Sequence, residues 1–132
     1  MKNNDTIFAL STVPGKSGIA VIRLTGPSSP TVVEKLTGST PAYRKAVLRE
    51  LRYDSEILDT AIVICFALGS SYTGEEMAEF HIHGSLAIVK SLIEVLGDRL
   101  GLRSAEPGEF TKRALENDRL DLTQVEGLAT LL

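Results

Sequence analysis

The segment 77–83, Met-Ala-Glu-Phe-His-Ile-His, constrains the fold more than any other part of the chain, because apolar and polar residues alternate along it. Successive side chains of a β-strand point to opposite faces of the sheet. One face would therefore be apolar, formed by Ala78, Phe80 and Ile82. The opposite face would carry groups able to hold a polar ligand, namely Glu79, His81 and His83. We predict a strand that lies against a hydrophobic core on one side and lines a candidate site on the other.

The composition is that of one folded domain. The chain has 132 residues, 43% of them hydrophobic and 23% charged, which is enough apolar material for a core. Its net charge of −3 argues against a domain that grips a phosphate backbone by itself. The longest apolar run, residues 61–68, is far shorter than the roughly 20 residues of a membrane-spanning helix, and no secretory signal precedes the first strand. We expect a cytoplasmic protein in which the lone Cys65 is a buried core thiol.

Strand and helix patterns follow one another without an internal repeat. Short apolar or alternating runs predict strands at residues 7–10, 19–24, 45–52, 59–68, 77–83 and 102–105. The fourth is predicted to be central, because both of its faces would be apolar. Turn residues and apolar spacings of three and four predict helices that begin near residues 28, 85 and 108 and end near 36, 100 and 116. The sequence therefore predicts an α+β fold, a mixed β-sheet flanked by helices.

The last twelve residues form a different pattern. Apolar residues at 122, 125, 128, 129 and 132 predict the first turns of an amphipathic helix that has no capping residue at its end. We expect residues 1–120 to form one domain and residues 121–132 to begin a helical domain that is cut short.

The tripeptide Gly15-Lys16-Ser17 invites comparison with a phosphate-binding P-loop. That motif requires a glycine five residues before the Gly-Lys pair, where this chain has Leu10, and it requires a helix afterwards, where this chain has a predicted strand. We expect that this chain does not bind GTP.

Arg23 is the most unusual charge in the chain. It follows the apolar residues of the second predicted strand and shares a face with Ile19 and Val21. A guanidinium beside a core must be paired, either with a carboxylate such as Glu79 or with a ligand that its planar fork of donors can recognise. The residues alone leave both readings open. They also leave open a metal site built from Glu79 and the two histidines.

Several segments, in order along the chain, resemble the N-terminal domain of the bacterial tRNA-modification GTPases known as MnmE or TrmE. They are residues 5–7, 14–23, 71–84, 107–114 and 117–122. The resemblance implies a fold similar to the folate-binding domain of the glycine-cleavage aminomethyltransferase. It also implies a bound tetrahydrofolate derivative, 5-formyl- or 5,10-methylene-tetrahydrofolate, as a one-carbon donor.

The family's folate contacts fall on Arg23, Glu79 and Arg119, the last at a position where the family has lysine. A carboxylate can accept paired hydrogen bonds from the amino group and ring N–H of a pterin, and cationic side chains suit its anionic tail. No catalytic residue and no metal ligand is predicted, because the site would hold and orient a cofactor. Glu109, Lys112 and Arg113 are predicted to be structural or interface residues.

The resemblance also implies partners. This domain would form a homodimer, and the full-length protein would act with a flavin-dependent partner protein on carbon 5 of the wobble uridine of tRNA. The parent would be an enzyme that hydrolyses GTP with magnesium and potassium, in a domain that is absent here, and it would not associate with a membrane. Two rival interpretations are a pure dimerisation module, in which Arg23 and Glu79 simply pair, and a metal-dependent enzyme that uses Glu79, His81 and His83.

Overall fold

Six strands form one mixed sheet in the computed structural model, which describes residues 5–11 and 18–120. The strands are β1 (Ile7–Leu10), β2 (Ile19–Thr25), β3 (Val47–Tyr53), β4 (Glu56–Phe66), β5 (Met77–His83) and β6 (Arg103–Ser104). Their order across the sheet is β3-β4-β5-β2-β1-β6. Only β1 and β6 pair in parallel, and the other neighbours are antiparallel. The predicted α+β class and mixed sheet are confirmed.

Two helices cover one face of the sheet. They are α1 (Ser29–Thr37) and α2 (Leu86–Glu94), and α2 continues into a π-helical turn at Val95–Arg99. The residues of β2, β4 and β5 that point towards them are almost completely buried: Ala20, Ile22, Leu24, Ala61, Val63, Cys65, Ala78, Phe80 and Ile82. Burial of this apolar face is the main stabilising term of the fold.

The third helix, α3 (Glu109–Glu116), lies over the opposite face of the sheet. Side chains of this helix contact the loop between β4 and β5, and Arg113 reaches the backbone oxygen of Asp5, just before β1. Glu109 of this helix also pairs with Arg103 of β6. The opposite face of β2, β4 and β5 is left partly exposed, with Ile19 at 56% and Leu48 of the edge strand at 63% exposure.

The predicted elements agree with the observed ones to within a few residues. Ser85 caps α2 by accepting a hydrogen bond from the backbone N–H of Ile88, and Gly38 ends α1 with a left-handed φ of 88°. Cys65 is buried, and burial raises the pKa of its thiol to about 11. The tripeptide Gly15-Lys16-Ser17 and the helix predicted to begin in residues 121–132 lie outside the described residues.

Two predictions need correction, one about the length of the second helix and one about the faces of the fourth strand. The helix predicted to reach residue 100 ends as an α-helix at Glu94, and the backbone N–H of Leu100 bonds to the oxygen of Val95, five residues back. The wider turn places Gly97 against the ring of Phe8. Strand β4 is interior to the sheet but only one of its faces is covered, because α3 does not extend over Ile62 and Ile64, which stay half-buried. No described helix is long and apolar enough to cross a membrane.

Replacing Gly26 with alanine is expected to destabilise the protein more than replacing Gly38. Both glycines have positive φ, 132° and 88°, which an alanine adopts at a cost of about 1–2 kcal/mol. Of the two positions, only Gly26 would bring the added Cβ into collision with backbone. This Cβ would lie 2.6 Å from the Cα of Thr6. We expect Gly38→Ala to lower the free energy of unfolding by about 1 kcal/mol and Gly26→Ala by at least about 3 kcal/mol, measured by urea denaturation. Equal losses would contradict a rigid contact with Thr6.

Candidate ligand-binding site

The partly exposed face of the sheet forms the floor of a cavity. The strand register places Ile64, Glu79, Arg23 and Ala9 abreast across β4, β5, β2 and β1. The cavity has a volume of about 600 Å³, and its floor includes Ala9, Arg23, Met77 and Glu79. Cavities of this size, with apolar walls and few polar groups, are typical sites for small molecules.

The walls of the cavity come from two segments that are far apart in the sequence. Phe66 and Tyr72 form one wall, and residues 105–111, which lead into α3, form the other. The phenol oxygen of Tyr72 lies 3.1 Å from the hydroxyl oxygen of Thr111, so that a hydrogen bond joins the two walls. Aromatic rings from both sides suit a flat heterocyclic ligand.

Glu79 is held from two sides. Arg23 donates from Nε to Oε2 of Glu79 at 2.8 Å, and Nε2 of His81 lies 2.9 Å from Oε1. Burial raises the pKa of Glu79, but the hydrogen bonds from His81 and Arg23 outweigh burial, and the pKa is lowered overall. The floor of the cavity therefore carries an ionised carboxylate. The side chain of Arg23 is 44% exposed and that of Glu79 is 14% exposed.

A cluster of ion pairs supports the wall formed by α3. Arg113 is only 3% exposed and donates to the backbone oxygen of Asp5 at 2.6 Å and to its carboxylate at 2.7 Å. It also pairs with Glu75 at 3.1 Å and with Glu109 at 3.4 Å. Its Nε has no hydrogen-bond partner among the described residues. Arg103 joins the same cluster through Asp5 and Glu109, both at 2.7 Å.

The cluster fixes the start of α3. Hydrogen bonds from Arg103 are the main cause that lowers the pKa of Glu109 to about 2; burial opposes them and the backbone N–H of Glu106 adds to them. Glu75 continues the cluster by accepting a hydrogen bond from Thr25 of β2 at 2.8 Å. The structural role predicted for Glu109 and Arg113 fits these contacts, although Glu109 also contributes to the cavity wall.

Arg119 lies apart from the other two predicted contacts. Its Nε donates to the backbone oxygen of Ser71 at 3.0 Å, and its backbone N–H bonds to the oxygen of Ala114. The described residues that line the cavity do not include Arg119. The structure thus brings Arg23 and Glu79 together and places Arg119 against the loop that carries the aromatic wall. Its contact with a ligand stays a prediction.

The two histidines of β5 have different partners. His81 bonds to Glu79, whereas Nδ1 of His83 lies 2.8 Å from Oδ1 of Asp59, whose other oxygen accepts from the backbone N–H of His83. Within the part of the chain that the structure describes, no group of three acidic, histidine or cysteine residues could hold a metal ion. Because His81 and His83 pair with different carboxylates, the geometry does not support the alternative of a metal site.

Sequence reasoning missed most of the cavity walls. Tyr72 and Phe110 lie inside segments that carried the resemblance, but no periodicity assigns either ring to a common cavity. Phe66 was assigned to a strand but not to the site. A signal existed for Tyr72, since it sits in a turn rich in glycine, serine and threonine that directly precedes the strand of Glu79.

Fold and site together define an α+β domain with a small-molecule cavity on an open sheet face. Over residues 6–119 the chain matches the family model described as the GTP-binding protein TrmE N-terminus, and it belongs to that family. A protein of Cereibacter sphaeroides named tRNA modification GTPase MnmE is 54% identical over 128 residues, which are 97% of this chain and 30% of the relative. A protein of Roseobacter denitrificans with the same name is 50% identical over 129 residues.

A vertebrate relative is also similar over almost the whole chain. The zebrafish protein named 5-taurinomethyluridine-[tRNA] synthase subunit GTPB3, mitochondrial, is 48% identical over 131 residues, which are 98% of this chain and 26% of the relative. The chain therefore spans less than a third of the length of these curated relatives.

The ion pairs of Glu109 predict a loss of stability in acid. A carboxyl whose pKa falls from 4.5 to about 2 on folding contributes stability that is complete above pH 4.5 and is lost as the pH falls towards 2. We expect the free energy of unfolding of the unmodified chain to fall by up to about 3 kcal/mol through this group. Glu109→Gln should lose less stability between about pH 6 and pH 3 in urea denaturation at each pH.

The matched control is Glu94→Gln, which alters an exposed glutamate of α2. This variant should keep the acid sensitivity of the unmodified chain. An acid sensitivity of Glu109→Gln equal to that of the control would show that the cluster does not act as an ionised network.

Proposed function

We propose that this chain is the domain of a tRNA-modification GTPase that binds a reduced folate and forms a homodimer. The observation that carries the proposal is the ionised pair of Glu79 and Arg23 on the floor of an aromatic-walled cavity. The names of the relatives support the tRNA-modification role, which belongs to the whole protein.

The donor and acceptor groups of the cavity fit the chemistry of a reduced folate. The carboxylate of Glu79 is able to accept paired hydrogen bonds from the amino group and ring N–H of a pterin. Tyr72, Phe66 and Phe110 supply aromatic surface for its ring, and Arg23 supplies positive charge. Arg119 would contact the folate or its anionic tail. This contact would form when the ligand binds close to Arg119 or when the loop moves Arg119 towards the ligand. The ligand would be 5-formyl- or 5,10-methylene-tetrahydrofolate, carried as a one-carbon donor.

The rest of the proposal concerns the whole protein. It would hydrolyse GTP with magnesium and potassium in a domain beyond this chain. It would modify carbon 5 of the wobble uridine of tRNA together with a flavin-dependent partner protein. Its location would be cytoplasmic, whereas the name of the zebrafish relative assigns that protein to mitochondria.

Removing the charge of Glu79 should weaken folate binding. A hydrogen bond to a charged group contributes about 1.5–3 kcal/mol, which corresponds to a loss of affinity of about tenfold to a hundredfold in Glu79→Gln. We expect isothermal titration with 5-formyltetrahydrofolate to show this loss. Arg119→Ala should also bind more weakly, and Arg119→Lys should retain most of the affinity, because lysine keeps the charge.

Glu34→Gln is the matched control, since Glu34 is exposed on α1, on the other side of the sheet. It should bind folate as tightly as the unmodified chain. Equal affinity of a folded Glu79→Gln variant and this control would reject the folate site. The rival, a pure dimerisation module, is favoured by the mutual pairing of Arg23 and Glu79, and the absence of any heat of binding would support it.

The homodimer has its own support in the open face of the sheet. The register aligns Leu48, Ile62, His81 and Val21 in a row beside the cavity, and Leu48 is 63% exposed. Apolar side chains exposed in a row are typical of a protein–protein contact. We infer that a second copy of the chain covers the outer end of this row, at Leu48 and Ile62.

Sedimentation velocity at micromolar concentration, without nucleotide, should show a dimer. Leu48→Glu should shift the protein towards monomer, because a buried unpaired carboxylate opposes association. Leu68→Glu provides the control, since Leu68 is 70% exposed in the loop after β4. A monomer of the unmodified chain, or a dimer unaffected by Leu48→Glu, would contradict this assignment.

A further inference from the structure

We propose that His81 is a positioning residue that sets the affinity of the cavity by orienting the carboxylate of Glu79. His81 is not among the residues that line the cavity, so it would act entirely through Glu79. The inference rests on the proposed function of the cavity as a folate site.

The geometry shows how His81 acts on Glu79. The two carboxylate oxygens are held by different side chains, Oε2 by Arg23 on the neighbouring strand and Oε1 by His81 on the same strand. An ionised carboxylate only accepts hydrogen bonds, so Nε2 of His81 carries the hydrogen in this contact. Together the two donors fix the plane of the carboxylate.

Among the residues that the structure describes, the side chain of His81 has its hydrogen bond to Glu79. Directly across from His81 the register places Ile62 on β4 and Val21 on β2, both apolar. The nearest polar side chains along these strands are Arg23, which is paired with Glu79, and His83, which is paired with Asp59. His81 is therefore oriented by Glu79, and Glu79 by His81.

Removing the donor of His81 would free one side of the carboxylate. Glu79 would still be attached to Arg23 but could rotate about that contact, and a ligand would have to order it again on binding. Ordering one side chain of this kind weakens affinity by about three- to tenfold. Glutamine has no ring, but its side-chain amide is a donor of similar reach. Glutamine at position 81 would therefore preserve the orientation of the Glu79 carboxylate.

The experiment is a titration of 5-formyltetrahydrofolate into single and double variants, with thermal unfolding as a check on folding. His81→Leu should bind about three- to tenfold more weakly, and His81→Gln should bind within about twofold of the unmodified chain. In the background of Glu79→Ala, His81→Leu should cause no further loss, since nothing is left to orient. A residue that merely supported the strand would show neither rescue by glutamine nor dependence on Glu79.

His83→Leu is the matched control, because His83 lies on the same face of the same strand but pairs with Asp59. It should leave folate affinity unchanged. Equal effects of His81→Leu and His83→Leu, or a loss with His81→Gln as large as with His81→Leu, would overturn the positioning role while the folate site stands. Failure of the unmodified chain to bind folate would reject the proposed function, and the positioning role with it.

Discussion

The site depends on the ion pairs formed by the buried guanidinium of Arg113. Taking an unpaired charge out of water costs several kcal/mol, so the fold must supply carboxylates to it. They come from Asp5, two residues before β1, from the loop before β5 and from the first turn of α3. These three segments are far apart in the sequence. Because the same loop and helix wall the cavity, the requirement to neutralise one arginine also determines where the cavity lies.

The floor and the walls of the site differ in how far they follow from the sequence. Alternating polarity in residues 77–83 predicts the strand and its polar face, and both are observed. The pairing of Arg23 with Glu79 was one of two readings left open by the residues, and the register of β2 and β5 places them directly opposite each other. Local pattern was therefore sufficient for the strand and its polar face, whereas the pairing required the register of two adjacent strands.

The walls could not be predicted in the same way. Contact between Tyr72 and Thr111 depends on how α3 crosses the sheet, and no period in the sequence encodes that crossing. The same holds for the bond from Nε of Arg119 to a backbone oxygen of the loop, which is also a tertiary contact. The π-helical turn after Glu94 is equally outside the sequence pattern, and it accompanies a tertiary contact of Gly97 with the ring of Phe8.

The parallel pairing of β1 with β6 has a consequence for the order in which the domain is made. Asp5 and Arg113 are separated by 108 residues, and β1 finds its second neighbour only when β6 exists. A ribosome must therefore release nearly the whole domain before the cavity can close. Loop closure over such a distance is entropically expensive and slows folding. Until β6 is made, the apolar strand β1 has one open edge, and an open edge favours aggregation.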